Sequence, residues 1–297
     1  MPSASQPAHA ARPAVTIRRA VPEDAPVCGT ICYKAFHSIA SEHAFPPDMP
    51  SAEVAIDLLA GMFSHPNFYC IVAEQNGRIV GSNCLDERSA VGGIGPITVD
   101  PDVQNTGIGR KLMENVIDRT SEKAMPGVRL VQAAYHNRSL SLYMKLGFEV
   151  REPLVTLQGP PIGKAAEGCQ VRPAQIEDIE ACSRVCMQVH GHDRGGELAD
   201  AVRMGSARVV ERDGRITGYA TALAFFGHAA GLTNADIEAL IAQAERFLGP
   251  GILVPTRNSD LIRWCLDMGL RIVQPLTLMT MGLYHEPQGA YLPSILY

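Results

Sequence analysis

The feature that most constrains the fold of this chain is a repeat that divides it into two halves. Ile17-Arg18-Arg19-Ala20 precedes an acidic pair and two cysteines, and Val171-Arg172-Pro173-Ala174 precedes the same set at one constant offset. The shared residues are Glu23, Asp24, Cys28 and Cys32 in the first block and Glu177, Asp178, Cys182 and Cys186 in the second. Each block is typical of a short strand, a turn and a helix whose first turn carries acids. The 297 residues suffice for two domains, so the repeat predicts two related folding units.

Both halves also end with the same pattern. The two segments are Leu142-Tyr143-Met144-Lys145-Leu146-Gly147-Phe148 and Trp264-Cys265-Leu266-Asp267-Met268-Gly269-Leu270. In each, a helix stops at the glycine, the usual residue just beyond a helix C-terminus, and a strand follows. A segment rich in proline and glycine, 159–163, separates the halves. We therefore predict a disordered lead-in at 1–14, a first domain at 15–158, a linker at 159–169, and a second domain with a C-terminal tail at 170–297.

Hydrophobic periodicity predicts strands alternating with helices, which is an α/β fold. In the first half the predicted strands are 15–19, 68–74, 78–86, 94–99, 129–133, 148–151 and 154–158, and the helices are 23–36, 52–64, 107–123 and 138–146. In the second half strands are predicted near 170, 207, 215, 225, 252, 270 and 277, and helices at 177–189, 234–248 and 260–268. The pairs Asn76-Gly77 and Asp213-Gly214 are hairpin-turn signals at matching places.

Composition excludes several classes of function. The net charge is −5, which is unsuited to general binding of phosphate backbones, so nucleic acid is not expected as a partner. No apolar run approaches the ~20 residues of a membrane span, so no membrane partner is expected. The first residues have no apolar core of a secretory signal, and only Arg12 and the lack of acids give a weak likeness to a transit peptide. The expected location is the cytoplasm.

Four of the eight cysteines are paired at i, i+4 on the first helix of each half. Each pair lies on one helical face, which suits a zinc site, a redox site or plain core packing. Core packing is favoured because free cysteine is a common small buried residue. His190-Gly191-His192 is likewise interpreted as a surface loop rather than a metal site, since no further ligands are visible. No metal is predicted.

The most informative segment is a glycine-containing loop between a strand and a long helix. The strand ends at Asp100-Pro101, and the loop then runs through Gly107 and Gly109 into the helix. Glycines let backbone N–H groups approach a ligand, and a helix N-terminus favours an anion such as pyrophosphate. Arg110 and Lys111 are cations in the first turn of the helix, where the helix dipole disfavours positive charge. A phosphate bound beside them would offset that repulsion. The alternative is an ordinary strand-to-helix turn. The loop is neither a Walker A loop nor a dinucleotide fingerprint.

Two motifs resemble those of the GNAT superfamily, the Gcn5-related N-acetyltransferases. Gln104-x-x-Gly107-x-Gly109 resembles its motif A, and Asn137-Arg138-Ser139-Leu140-Ser141-Leu142-Tyr143, followed by Gly147-Phe148, resembles its motif B. The resemblance implies two GNAT-like domains in tandem, each a central, mostly antiparallel, twisted sheet flanked by helices. It also implies acetyl-CoA as the acyl donor and transfer of the acetyl group to a primary amine.

The resemblance implies roles for particular residues. Pantetheine contacts fall on Ile97, Thr98 and Val99, and pyrophosphate contacts on Gln104, Asn105, Thr106, Gly107, Ile108, Gly109 and Arg110. The position seven before the motif B tyrosine, usually Asn, is His136, so the contact with the CoA arm falls on His136 or on Asn137. Tyr143 would protonate the departing thiolate, and a backbone N–H near Val99 would hold the oxyanion; a half-buried core tyrosine is the alternative.

The second half lacks the loop. Its corresponding helix starts at Thr233-Asn234-Ala235-Asp236, with acids in place of glycines and cations. Acids cap a helix but repel phosphate. The second domain is therefore predicted to be a degenerate copy, and one CoA site per chain is expected.

The acceptor and the base are less well defined by the sequence. Acidic and histidine side chains near the first two helices favour a small cationic amine: His37, Glu42, His43, Asp48, Glu53, Asp57, Asp86 and Glu87. The alternative is a solvated face. The apolar tail ending at Tyr297 suggests that its terminal carboxylate enters the site as a base, against the alternative of a tail that only packs. A homodimer is allowed, and a non-catalytic acyl-CoA sensor or a structural module are the other functions considered.

Overall fold

The computed structural model describes residues 14–164 and 168–297. The predicted lead-in lies outside the described residues, apart from Ala14, and so does the middle of the predicted linker. Within the described residues, no helix has both the length and the hydrophobicity needed to cross a bilayer.

The described residues form fourteen strands and eight α-helices. The first half contains β1 (Val15–Arg19), α1 (Ala25–Glu42), α2 (Ala52–Ser64), β2 (Phe68–Gln75), β3 (Arg78–Asp86), β4 (Gly92–Ile94), β5 (Thr98–Val99), α3 (Ile108–Glu122), β6 (Gly127–Ala133), α4 (Asn137–Lys145) and β7 (Glu149–Gln158). The second contains β8 (Gln170–Pro173), α5 (Ile179–His190), α6 (Gly195–Arg203), β9 (Arg208–Arg212), β10 (Arg215–Ala220), β11 (Ala229–Gly231), α7 (Asn234–Ala242), β12 (Ile252–Pro255), α8 (Ser259–Asp267), β13 (Arg271–Gly282) and β14 (Ala290–Leu292).

Several predicted boundaries were wrong. The strand predicted at 94–99 is split into β4 and β5, because Pro96 between them has no N–H to continue a ladder. The two strands predicted at 148–151 and 154–158 are one strand, β7. The strand predicted near 225 lies later, at β11, and α6 was not predicted.

The two halves share one nine-stranded sheet of order β1-β2-β3-β4-β6-β13-β7-β12, with β5 paired to β3. Strand β13 of the second half lies between β6 and β7, and β7 of the first half lies between β13 and β12. All these pairs are antiparallel except β4 with β6. A second sheet of five strands has the order β14-β11-β10-β9-β8. The halves have therefore exchanged their equivalent long strands.

The cores reflect this exchange. Met279 of β13 packs in the core of the first half, beside Leu130 and Tyr143. Val155 and Leu157 of β7 pack in the core of the second half. Each half is therefore completed by apolar side chains from the other, which ties the two together through buried area.

The repeat seen in the sequence makes the same contacts twice. Arg18 donates to both carboxylate oxygens of Asp24 at 2.6 and 2.9 Å, and Arg172 to those of Asp178 at the same two distances. Each aspartate also accepts a backbone N–H three residues earlier, at 2.9 and 2.8 Å. These charge-assisted bonds fix the turn before α1 and before α5.

The cysteine pairs are buried in the two cores, as predicted, with no exposed surface on Cys28, Cys32, Cys182 or Cys186. Burial raises the pKa of the Cys28 and Cys182 thiols to about 12. In residues 14–164 and 168–297 no group of three or more His, Cys, Asp or Glu side chains is arranged to hold a metal ion.

The interpretation of His190-Gly191-His192 as a surface loop was wrong. His190 and His192 are buried, with 3% and 7% of their surface exposed. His190 ends α5 and meets the ring of Tyr291 edge-on, with the ring centroids 5.1 Å apart. The Nε2 atom of His192 lies 2.7 Å from the Tyr297 hydroxyl. The rings of Tyr291 and Tyr297 cover this turn. Both lie about a hundred residues later in the chain, so the local sequence could not indicate this burial.

Candidate active site

A cavity of about 730 Å³ opens where β5 separates from β6. One end is walled by the loop before α3 and by α4, and the other by α1 and the segment after it. Residues of the second half, including Phe225, Phe226 and Leu276, close that second end. The volume is within the range of small-molecule and cofactor sites.

The edge of β5 faces this cavity because the sheet divides there. Gly81 and Ser82 of β3 pair with Val99 and Thr98, whereas β6 pairs with β4 and not with β5. Ile97, Thr98 and Val99 all line the cavity. An unpaired strand edge presents backbone N–H and C=O groups that an extended ligand can bind as an added strand.

The loop before α3 has the backbone shape that exposes its N–H groups. Asn105 and Gly107 adopt left-handed conformations, with φ of 64° and 94°. The Gln104 side chain donates to the carbonyl oxygen of Val99 at 3.1 Å, which ties the loop to the end of β5. Gly107 is the N-cap of α3, and no side chain of the described residues caps it. The first N–H groups of α3 therefore remain available to an anion.

Tyr143 on α4 also lines the cavity. Only 7% of its surface is exposed, and its ring packs edge-on against Phe148 at a centroid distance of 6.1 Å. Burial raises the pKa of its phenol above the usual 10. The hydroxyl is therefore protonated at neutral pH and can act as a proton donor.

His136 and Asn137, at the start of α4, also line the cavity. Burial, with smaller contributions from Arg138 and His43, lowers the pKa of His136 to about 4. The imidazole is therefore neutral at pH 7 and can exchange hydrogen bonds without adding positive charge.

The predicted acidic region is only partly at the site. Of the eight residues named for it, Glu42 and Asp48 line the cavity within the described chain. Asp86 instead pairs with Arg88 at 2.6 Å, and Glu87 pairs with Arg119 at 2.7 Å. Asp86 ends β3 and Glu87 follows it; neither lines the cavity, and both neutralise arginines.

Asp48 is bound by a residue of the second half. Gln274 of β13 donates its side-chain N–H to Asp48 Oδ1 at 2.9 Å. Burial raises the pKa of Asp48, and the hydrogen bond from Gln274 opposes that shift. The aromatic wall beside it includes Tyr135, which stacks on Phe45 at 4.4 Å.

The corresponding place in the second half is filled by protein groups. Asp236 caps the start of α7: it accepts from the Thr233 N–H at 3.0 Å and hydroxyl at 2.9 Å, and from Thr217 at 2.7 Å. The side chains of Asn234 and Asn258 donate to each other at 3.0 and 2.8 Å and join the starts of α7 and α8. A buried carboxylate thus lies where an anion would bind.

The structure brings most of the predicted site residues together. The predicted residues that line the cavity are Ile97, Thr98, Val99, Gln104, Asn105, Gly107, Ile108, Gly109, Arg110, His136, Asn137 and Tyr143. Thr106 is not among the lining residues; its hydroxyl donates to the carbonyl oxygen of Val103 at 2.7 Å.

Tyr297 does not line the cavity either, although its neighbours Ile295 and Leu296 do. Its phenol is buried beside Arg129 and His192, and its main-chain oxygen accepts from Arg194 at 2.5 Å. The sequence analysis missed the cavity residues of the second half, and no local signal marks Phe225, Phe226 or Leu276 as site residues.

Part of this chain matches known proteins in sequence. Residues 32–148 match the model of the acetyltransferase (GNAT) family. A curated relative named IAA acetyltransferase, from Azospirillum brasilense, is 28% identical over 90 residues, which are 30% of this chain. The match spans 59% of that relative's length.

Similar solved structures cover nearly the whole chain. A Pyrococcus horikoshii structure described as an acetyltransferase is similar with a TM-score of 0.73 and 18% identity, covering 96% of this chain and 98% of that one. A GCN5-related N-acetyltransferase from Sphaerobacter thermophilus gives 0.60 and 16%, covering 92% and 96%. A tandem GNAT protein of the clavulanic acid biosynthesis pathway gives 0.56 and 13%, covering 91% and 98%. These similarities support the tandem fold.

Proposed function

We propose that this chain, whose residues 32–148 match the model of the acetyltransferase (GNAT) family, transfers an acetyl group from acetyl-CoA to the nitrogen of a small amine. The observation that carries the proposal is the uncapped N-terminus of α3, which opens into the same cavity as the phenol of Tyr143. The N-terminus of α3 suits a bound pyrophosphate, and the phenol of Tyr143 suits a leaving thiolate.

The described residues fit the proposed donor. The N–H groups of the loop from Gln104 to Arg110 suit the pyrophosphate, and the open edge of Thr98–Val99 suits the extended pantetheine arm. Arg110 is a surface side chain that pairs with Glu114 at 3.4 Å and so adds only a modest, screened attraction for phosphate. When bound, acetyl-CoA supplies the thioester whose acetyl group is transferred.

In the proposed reaction the neutral amine attacks the thioester directly. A carbon–nitrogen bond forms and the carbon–sulfur bond breaks. A backbone N–H near Val99 donates to the carbonyl oxygen as it gains negative charge. The hydroxyl of Tyr143 gives its proton to the leaving sulfur, and the amine proton leaves to a base or to water. Tyr297 takes no part in the proposed reaction, because its phenol and its main-chain oxygen are engaged with Arg129, His192 and Arg194.

The proposed acceptor is a small amine, with no role for nucleic acid or a membrane. Glu42 and Asp48 at the far end of the cavity favour a group that is positively charged in solution.

The decisive experiment compares two tyrosine variants by the release of free thiol from acetyl-CoA with a panel of amines. In Tyr143→Phe the ring still packs against Phe148, so acetyl-CoA affinity should be unchanged while kcat falls roughly 10²-fold. Tyr69→Phe is the matched control: it loses a hydrogen bond to Asn115 of 3.1 Å outside the cavity and should keep full kcat.

Equal kcat in wild type and Tyr143→Phe would remove Tyr143 as the general acid. Tight acetyl-CoA binding without thiol release for any amine would favour a non-catalytic acyl-CoA sensor instead.

A further inference from the structure

We propose that the acceptor is a hydrophobic primary amine without a carboxylate, whose ammonium group is held by Asp48 and whose apolar body lies on Phe225 and Phe226 of the second half. This inference rests on the proposed function and names the substrate class of that site. In this inference the second half, which lacks the glycine-containing loop, forms one wall of the acceptor site.

The first support is the position of Asp48. It is one of two carboxylates among the cavity-lining residues of the described chain, and the other, Glu42, is exposed. Asp48 is partly buried, and one of its oxygens is bound by Gln274 at 2.9 Å. Gln274 is itself 1% exposed, so the carboxylate is held by a buried partner. A desolvated carboxylate that is already oriented favours a cationic ligand group.

The second support is the apolar character of the surroundings. Phe225 and Leu276 from the second half are 1% and 2% exposed, and Met49 from the first half is 3% exposed. Phe226, in contrast, exposes 37% of its surface although it lines the cavity. Covering an exposed aromatic ring with an apolar ligand stabilises the complex by about 1 kcal/mol or more.

The third support is the separation of charge along the cavity. The lining residues that carry a fixed positive charge are Arg110, Arg138 and Lys145, all of which belong to α3 or α4. The nearby His136 is neutral at pH 7, because burial lowers its pKa to about 4. None of these three cations belongs to α1, to the segment that carries Asp48 or to the second half.

These features argue against two other amine classes. An amino acid would bring its own carboxylate toward Asp48, and an unpaired or like charge in a partly dry site is costly. A polyamine would need several acceptors along its length, whereas apolar side chains cover most of this end. A single ammonium on an apolar body matches both the charge and the surface.

The test measures binding and turnover separately. 2-Phenylethylamine is titrated by calorimetry into the protein saturated with CoA, beside spermidine, L-phenylalanine and the uncharged 2-phenylethanol. Asp48→Asn keeps the shape and the bond from Gln274 but removes the charge, so affinity for 2-phenylethylamine should fall at least about tenfold. Asp57→Asn, an exposed change on α2 outside the cavity lining, is the matched control and should bind normally.

A second variant tests the contribution of the second half. Phe226→Ala should lower the affinity for 2-phenylethylamine about fivefold and leave the affinity for methylamine unchanged, because only the larger amine reaches the ring. Thiol release from acetyl-CoA is then measured with the same amines.

The outcomes separate the inference from the proposed function. Unchanged binding in Asp48→Asn, no binding of 2-phenylethylamine, or preferential acetylation of spermidine or L-phenylalanine would overturn the inference. In the last case the proposed function would stand. Binding that depends on Asp48, without thiol release for any amine, would overturn the proposed function and leave the ammonium site supported.

Discussion

Replacing Gly107 by glutamate separates the charge of the proposed phosphate site from the strain of the backbone. Gly107 has φ of 94°, and a Cβ added there meets no atom within 4 Å. The substitution is therefore free of steric clash, and its structural cost is that of a left-handed backbone in a non-glycine residue, roughly 1–2 kcal/mol.

The effect on binding should be larger than the effect on stability. The new carboxylate lies at the N-terminus of α3, where the pyrophosphate is proposed to bind. Two unit charges about 6 Å apart, at an effective dielectric constant near 20, repel by about 3 kcal/mol. That repulsion corresponds to a loss of affinity of about 10²-fold, before lost hydrogen bonds are added.

Gly269→Glu is the matched control. Gly269 has φ of 91°, also has no atom within 4 Å of an added Cβ, and follows α8 in the second half. Both variants should lose a similar free energy of unfolding, measured by urea denaturation, since both suffer the same backbone strain.

Calorimetric titration with acetyl-CoA gives the affinity and the stoichiometry. Wild type and Gly269→Glu should bind one acetyl-CoA per chain with equal affinity, whereas Gly107→Glu should bind at least about 10²-fold more weakly. Equal losses in the two variants would mean that strain and not charge is responsible. Unchanged binding in Gly107→Glu, or a stoichiometry of two, would refute the assignment of the site.

Two further predictions concern stability. Asp24→Asn and Asp178→Asn should each lower the free energy of unfolding by about 1.5–3 kcal/mol, the scale of hydrogen bonds to charged groups. Their arginine partners lower the pKa of both carboxyls below 3.8, so this stabilisation is present above pH ~4 and is lost as the pH falls further. Urea unfolding at pH 7 and pH 3 measures this pH dependence. Between these pH values the free energy of unfolding should fall more in the wild type than in either variant, and equal losses would contradict the prediction. Tyr297→Phe should lower stability by about 1–3 kcal/mol, because Arg129 and His192 lose a buried partner. Acetyl-CoA affinity and kcat should not change; a large fall in kcat with normal stability would instead support a catalytic role for Tyr297.

Features that depend on neighbours along the chain could be predicted from the sequence. The turn pairs Asn76-Gly77 and Asp213-Gly214 both adopt positive φ at each residue, as such hairpin turns require. The loop through Gly107 has the left-handed geometry that its glycine suggested. Tyr143 lines the cavity because helical spacing from the start of α4 fixes its direction.

The motif positions also located most of the candidate cofactor site. The residues from Ile97 to Val99 and most of those from Gln104 to Arg110 line one cavity. A strand, a loop and a helix that are consecutive in the chain bring these groups together with no need for distant contacts. The prediction that the second half binds no cofactor rests in the same way on local residues, because the Asp236 carboxylate caps its own helix.

The acceptor end could not be derived in this way. Asp48 and Gln274 are separated by 226 positions, and they meet because β13 enters the sheet of the first half. The sequence shows that β7 and β13 are equivalent strands, but the same alternating pattern would suit pairing within one half or across halves.

The sequence by itself therefore determined the tandem repeat, the turns and the glycine-containing loop before α3, because these depend on local backbone geometry and on residues a few positions apart. Only the tertiary structure decided which strands were exchanged, that His190 and His192 are buried, and that Phe225 and Phe226 face the cavity of the other half. Those outcomes depend on which apolar surfaces cover one another after the chain has folded back over more than a hundred residues. Hydrophobic burial is non-directional, so the amount of apolar surface to be covered follows from the residues themselves, whereas the choice of what covers it does not.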